Sequence, residues 1–290
     1  MKKILVTGGT GFIGEKVVEL LSKNNLVFVL TRNHDFKDSK NVKYIYGDIC
    51  NEQKIKEIVI GKDIIIHMSG SIKGSDEEIF KTNIVGTENL INACKNINIE
   101  NFVFISSDAV FQKHRSGYSE SKVKGEEIIK KIKNHCILRP AIVYGEGDKI
   151  NLGKIINFVK KWPVIIIPGN GNNKMQPICV EDVAKYISIA ATSNIQGVYT
   201  LAGSDILTFN TFMDEACLVL NKKLIKIHLP LFFIIPFVWL VEKLFPNLGV
   251  SISQVKNLNS DRVYDISETI KTFKHEPIKI KEGLKRTIVH

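Results

Sequence analysis

Tyr118 and Lys122 stand four residues apart in Tyr118-Ser119-Glu120-Ser121-Lys122, shortly after a serine pair, Ser106-Ser107, that closes an apolar run. Residues four apart share one face of a helix. A lysine ammonium held beside a phenol stabilises the phenolate and lowers the tyrosine pKa from its usual value near ~10. Such a tyrosine can exchange a proton with a substrate oxygen while hydride moves to or from a nicotinamide. Ser107 is placed to hold that oxygen by a hydrogen bond. A tyrosine and a lysine at this spacing are common on solvated helices, so the reading depends on what precedes them.

Upstream lies Thr7-Gly8-Gly9-Thr10-Gly11-Phe12-Ile13-Gly14, directly after the apolar Ile4-Leu5-Val6. Gly8 suits a tight turn out of a strand, Gly11 lets backbone approach a pyrophosphate, and Gly14 lets the following helix pack closely. The N-terminus of that helix offers N–H groups and a positive dipole end to phosphate. The second apolar run ends at Leu30-Thr31-Arg32. An arginine there accommodates the 2′-phosphate of NADP, whereas an acidic residue would grip the ribose hydroxyl of NAD. Arg32 therefore tilts the expected cofactor toward NADP over NAD, although an arginine also stacks on adenine without selecting, and Asp35 lies close by. Asp48, in Gly47-Asp48-Ile49, is placed either to accept from the adenine amino group or to cap a helix beginning near Asn51.

The elements that must position these groups follow from the hydrophobic pattern. Apolar runs suited to strands occupy Ile4–Val6, Val27–Leu30, Val42–Tyr46, Asp63–His67, Phe102–Ser106, Cys136–Leu138 and Val198–Leu201. Helical patterns fall between them, near 13–23, 52–59, 76–97 and 117–133. This alternation predicts an α/β fold, a doubly wound parallel sheet of the Rossmann type, with ligands beyond the carboxyl ends of its strands. Residues 1–148 and 176–203 are expected to form the dinucleotide-binding domain. Residues 149–175 and 204–290 are expected to form a smaller, mostly helical substrate lobe, with a last helical run near 250–290.

Within that lobe, 229–241 carries no charge and includes Pro230, Pro236 and Trp239. It is too short to span a bilayer, which takes ~20 apolar residues. A buried helix is the expectation, ahead of a peripheral membrane contact.

Composition bounds the partners. The net charge is +10, but the lysines are dispersed without a block, so nucleic acid is not expected. A small anionic substrate would still benefit from the field. Cysteines 50, 94, 136, 179 and 217 show neither C-x-x-C nor metal-ligand spacing and suggest a reducing compartment, with Cys136 and Cys179 as core residues. The apolar stretch before the glycines is too short for a signal peptide, so the cytoplasm is expected.

The chain resembles the extended short-chain dehydrogenases/reductases, the group of NAD(P)-dependent epimerases and dehydratases. The resemblance rests on TGGTGFIG at 7–14, GDI at 47–49, DIIIHMSG at 63–70, NIVGTENLINAC at 83–94, FVFISSDAVF at 102–111, YSESK at 118–122, LRPAIVYGEGD at 138–148 and PICVEDVA at 177–184. It implies Tyr118 as acid/base, Lys122 as its partner and ribose anchor, and Ser107 as the third member, with Ser106 a non-catalytic neighbour. It also implies that Gly8, Gly11, Phe12 and Ile13 contact the cofactor diphosphate. Asp48 and Ile49 would lie near adenine, Ser69 and Gly70 near the cofactor ribose and phosphates, and Pro140 and Ile142 near nicotinamide. Asn83 would brace the site, while His67, Tyr144 and Asp182 would be structural. A homodimer through the helices near 76–97 and 117–133 is a further implication.

Two features depart from the nucleotide-sugar enzymes of this group, such as UDP-galactose 4-epimerase. Only ten residues separate Ser107 from Tyr118, where those enzymes carry a longer loop, and Met175-Gln176-Pro177 stands where an arginine-aspartate pair is usual. The short loop resembles the nucleotide-binding accessory subunit of respiratory complex I. The tail, with 229–241, Asp261-Arg262-Val263-Tyr264-Asp265 and Glu282-Gly283-Leu284, resembles the 3β-hydroxysteroid dehydrogenase and dihydroflavonol reductase branch. The ranking is an enzyme of a nucleotide sugar first and a reductase or dehydrogenase of a lipid-like alcohol (sterol, isoprenoid or polyketide) second. A non-catalytic NADPH-binding subunit comes third.

Overall fold

A computed structural model describes residues 1–72, 74–244 and 260–288. Seven strands form its main sheet: β1 (Lys3–Thr7), β2 (Leu26–Thr31), β3 (Val42–Tyr46), β4 (Ile64–His67), β5 (Asn101–Ile105), β6 (His135–Pro140) and β11 (Gly197–Leu201). Their order is β11-β6-β5-β4-β1-β2-β3, with every neighbouring pair parallel. Strand order reverses between β1 and β4, and the crevice beyond their carboxyl ends is where such sheets take ligands.

The strands read as continuous apolar runs because helices cover both faces. Successive side chains alternate between two cores. Ile4, Val6, Val27, Val29, Ile64, Ile66 and Val103 pack with α1 (Phe12–Ser22) and α7 (Val180–Thr192). Leu5, Leu30, Ile65, Phe102, Phe104 and Ile137 pack with α2 (Glu52–Val59), α4 (Gly86–Cys94) and α5 (Gly117–Ile129).

The helical pattern over 76–97 is not one helix. It comprises α3 (Asp76–Phe80), a π-helical turn at Lys81–Val85 and α4. The π turn inserts an extra residue per turn. Asn83 within it is buried, and its side chain ties Ser71 to Ser121.

A third core lies outside the sheet, built from α6 (Leu152–Lys161), α8 (Phe209–Leu220) and the last described helix, Ile280–Ile288. Short strands join it. β7 (Val143–Tyr144) pairs with β10 (Ile178–Cys179), and β9 (Lys174–Met175) pairs antiparallel with β12 (Leu207–Thr208). β8 (Val164–Pro168) pairs parallel with β13 (Ile225–Leu229). A further short helix, Ser267–Phe273, precedes the last one. Residues 250–259 of the expected final helical run lie outside the described residues.

The charge-free segment does form a helix, α9 (Leu231–Leu244), but it is not the buried helix expected. Val238 is buried, whereas Phe232, Phe233, Phe237 and Trp239 are exposed. Apolar periodicity reports a tendency to leave water, not the presence of a neighbour to pack against. No helix among the described residues is long and apolar enough to cross a membrane. All five cysteines are free, and Cys136 and Cys179 sit in the cores.

Candidate active site

The glycine loop turns sharply out of β1. Gly8 has φ +75°, and a Cβ there would lie 2.7 Å from Ser69 N, so a side chain would collide with the backbone that follows β4. At Gly14 a Cβ would lie 2.1 Å from Gly8 O, which keeps α1 tight against the turn. Gly11 differs. Its backbone is extended, and a Cβ would meet only Gly8 O at 3.4 Å, an ordinary contact. The protein's own packing therefore tolerates a side chain at Gly11. Gly11 is also the N-cap of α1, and no side chain caps that helix, so Phe12 and Ile13 lie in an uncapped first turn suited to an anion. These features fit the diphosphate of a dinucleotide.

Around this cradle the remaining expected residues are spread along the strand ends. Arg32 is exposed just after β2. Beside it, His34 stacks on Tyr46 with ring centroids 3.4 Å apart, an aromatic platform not anticipated from the sequence. Asp48 is half-buried, and its Oδ1 accepts from Cys50 N at 2.8 Å. It does not cap α2; Asn51 does, accepting from Lys54 N. Ile49 is buried against Gly86. Pro140 ends β6 and Ile142 follows it, at the carboxyl edge of the sheet.

Ser69 and Gly70 connect the cradle to the chemical groups. Ser69 N donates to Thr7 Oγ1 at 3.3 Å, and a Cβ on Gly70 would lie 3.5 Å from Lys122 Nζ. Behind them His67 bridges Thr7 and Thr87, at 2.7 and 2.9 Å. Burial, with Lys122 nearby, lowers the His67 pKa to about 3, so it stays neutral and structural.

Tyr118 and Lys122 lie on one face of α5, whose start is fixed by a reciprocal Ser116–Ser119 capping box. The Ser107 side chain lies beside the Tyr118 phenol and draws its pKa down. Lys122 is buried, its Nζ donates to Ile105 O at 2.8 Å and lies 5.9 Å from the Tyr118 ring centroid. The next turn brings buried Glu126 to the same face, where it accepts from Ser106 Oγ at 2.6 Å and from Arg139 in a two-pronged pair. That network holds Ser106 on Glu126 and leaves Ser107 beside Tyr118.

The electrostatics correct one expectation. Burial, opposed by the Ser107 side chain and reinforced by Asp108, raises the Tyr118 pKa to about 12 rather than lowering it. Burial likewise lowers Lys122 to about 8, against the attraction of Glu126. Desolvation outweighs a lysine whose ammonium is engaged by a carbonyl.

Asp108 was not anticipated as part of the site. It is buried beside Ser107, which donates to its Oδ1 at 3.3 Å. Tyr264 donates to its Oδ2 at 2.9 Å and Arg262 stands 3.7 Å away. The carboxyl pKa is raised by burial despite Arg262. Asp108, Arg262 and Tyr264 wall a cleft of about 420 Å³ that Phe111, Gln112 and Leu231 also line.

A parallel sheet in this order, with an uncapped glycine-loop helix at the switch point, defines a dinucleotide-binding Rossmann protein. More narrowly, the chain belongs to the NAD dependent epimerase/dehydratase family, whose model matches residues 4–202. The chain is similar to 3beta-hydroxysteroid-dehydrogenase/decarboxylase isoform 2 of Arabidopsis thaliana, at 24% identity over 98% of this chain and 61% of that protein. It thus spans less than two thirds of that relative's length. Sterol-4-alpha-carboxylate 3-dehydrogenase, decarboxylating, of Mus musculus is 22% identical over 99% of this chain and 90% of its own. Among solved structures, UDP-N-acetylglucosamine 4-epimerase from Methanobrevibacter ruminantium M1 in complex with UDP-N-acetylmuramic acid superposes with a TM-score of 0.79. It has 22% identity and covers 99% of this chain and 97% of that one, a likeness of fold.

Proposed function

We propose that the chain is an NAD(P)-dependent oxidoreductase that interconverts a secondary alcohol and a ketone on a lipid-like substrate. The observation that carries the chemistry is the convergence of Ser107, Tyr118 and Lys122 near Gly70, with Ser107 hydrogen-bonded to Asp108 of the cleft wall. The nicotinamide supplies the hydride donor or acceptor when bound. Tyr118 moves the proton. Held protonated at neutral pH, its phenol is poised to give that proton to a ketone oxygen, in the direction of reduction. Ser107 orients the same oxygen. Lys122, with a pKa of about 8, is charged at pH 7 and compensates the phenolate left behind. All three groups intact argue against a purely scaffolding role.

The lipid-like class is supported by the cleft, where Phe111, Leu231 and Tyr264 supply apolar wall, and by the 3beta-hydroxysteroid-dehydrogenase likeness. The nucleotide-sugar reading keeps support from the net charge of +10, which would favour a diphosphate. NADP is preferred over NAD on the strength of exposed Arg32. Free cysteines support a reducing, cytoplasmic setting, and a homodimer through α4 and α5 belongs to the same proposal.

The test is a panel of sterol, isoprenoid and nucleotide-sugar ketones, each with NADPH and NADH, on wild type and Tyr118→Phe. The expected outcome is turnover of a lipid ketone that falls ~10²–10⁴-fold in Tyr118→Phe, with cofactor affinity changed no more than about threefold. Wild-type turnover in Tyr118→Phe would sink the assignment. Turnover confined to nucleotide sugars would sink the substrate class.

A further inference from the structure

Among the described residues, little covers the apolar surface of helix α9. Phe232 and Phe237 are each 67% exposed, and Phe233, Trp239, Leu240 and Leu244 are exposed with them. The surface continues into the strand pair that feeds the helix. In the parallel register of β13 with β8, Ile225 meets Val164 and Ile227 meets Ile166, on one side of the pair. Ile165 and Ile167 face the core, whereas Ile166, Ile225 and Ile227 are exposed. A surface strand pair ordinarily presents polar residues outward. Here the outward face is apolar, while Lys226 and His228 lie on the other face with Ile165 and Ile167, and Trp162, at the entry to β8, is exposed as well. Contiguous apolar patches of this kind mark interaction sites.

The charge around the patch identifies what it meets. The chain carries 30 acidic residues, yet 149–180 and 216–241, which supply β8, β13 and most of α9, contain none. Those two segments contain Lys149, Lys154, Lys160, Lys161, Lys174, Lys222, Lys223 and Lys226. Lys226 is paired with Asp214 from α8, and Lys222 donates to the Lys160 carbonyl. Lys243 lies over the Trp239 ring, 5.1 Å from its centroid. Exposed aromatic side chains in segments that carry lysines and no acidic residue are the composition that settles into the headgroup layer of an anionic bilayer. A second copy of the chain would bring one lysine field against another.

We infer that the outer face of β8 and β13 together with α9 docks the protein on an anionic lipid surface. The patch is continuous with the cleft, because Leu231, the first residue of α9, lines the same cavity as Asp108 and Tyr264. Docking would therefore set the cleft mouth at the bilayer, so that an apolar substrate enters the cleft beside Asp108 without crossing water. This last step rests on the lipid-like reading of the substrate; the docking does not.

The experiment is vesicle flotation of the full chain with phosphatidylcholine vesicles, with and without phosphatidylserine, at low and high salt. Binding is expected to the phosphatidylserine vesicles, weakened at least about tenfold by Phe233→Glu/Phe237→Glu and by added salt. Lys222→Glu/Lys223→Glu is expected to weaken it at low salt only. Tyr118→Phe is measured alongside and is expected to bind vesicles like wild type, which separates docking from catalysis. NADPH titration confirms that each variant is folded. The inference is overturned by failure to bind anionic vesicles, or by binding that Phe233→Glu/Phe237→Glu leaves unchanged. It is equally overturned by light scattering that shows a dimer which the same pair of substitutions dissociates.

Discussion

Replacing Gly11 by alanine separates what the fold needs from what the cofactor needs. At Gly14 an added Cβ would stand 2.1 Å from Gly8 O, deep inside contact distance, and the turn would have to move. At Gly11 the Cβ would stand 3.4 Å from the same oxygen and meet nothing else, on a backbone with φ −90° and ψ 173° that alanine adopts freely. The only structural cost is an N-cap change, since alanine caps less well than glycine, worth up to about 1 kcal/mol. The methyl group would, however, occupy the space where a diphosphate must approach the uncapped first turn. Displacing the phosphates from those N–H groups forfeits charge-assisted hydrogen bonds worth ~1.5–3 kcal/mol each, or about ten- to a hundredfold in affinity for one such bond. Fluorescence titration with NADPH and NADH, paired with urea unfolding, reads both quantities on one preparation. Gly11→Ala should unfold within about 1 kcal/mol of wild type while losing at least about tenfold in dinucleotide affinity. Gly14→Ala should lose stability first. If Gly11→Ala binds dinucleotide within about twofold of wild type, the diphosphate does not lie against this turn and the cradle assignment fails.

Lys122 makes a prediction about pH. Its folded pKa of about 8 lies below its unfolded value near ~10.4, so between those values the unfolded chain binds more protons and stability rises with pH. The burial of its charge costs roughly 3 kcal/mol below pH 8 and is relieved above it. Buried Cys94 and Cys136, whose pKa values burial raises to about 12, pull stability the other way as pH rises, so the readout is a difference. Wild type should gain stability relative to Lys122→Met from about pH 7 to about pH 10 in urea unfolding; parallel slopes would refute the buried, shifted ammonium. Arg32→Asp should weaken NADPH at least about tenfold more than NADH, because the exposed guanidinium would no longer meet a 2′-phosphate. Equal weakening would reduce Arg32 to an adenine-stacking residue.

What was legible in the sequence was whatever depends on local chemistry. Ile4-Leu5-Val6 and Ile64-Ile65-Ile66 read as buried parallel strands because each residue must leave water on whichever face it points to, and the structure pairs them in one sheet. Gly8 and Gly14 read as a turn and a close packing because only the missing Cβ permits either. Tyr118 and Lys122 read as neighbours because helix geometry alone puts residues four apart on one face. The π turn at Lys81–Val85 was not legible, since the inserted residue answers to what Asn83 must reach, Ser71 and Ser121, and not to any local propensity. Asn51 rather than Asp48 caps α2 for a similarly local reason, the exact start of the helix, which periodicity leaves open.

By itself, then, the sequence determined the alternation of strands and helices, the glycine loop and the spacing of the candidate Tyr118 and Lys122, because these follow from backbone sterics, burial and residue spacing. Only the tertiary structure decided that Asp108 meets Tyr264 across 156 residues of chain, because no local rule links positions that far apart. It also decided that burial drives Tyr118 upward in pKa where a neighbouring lysine alone would draw it down, since desolvation depends on every atom packed around the ring. And it decided that α9 turns its phenylalanines to the outside, because hydrophobicity states what a side chain avoids, while the rest of the fold settles whether anything is there to cover it.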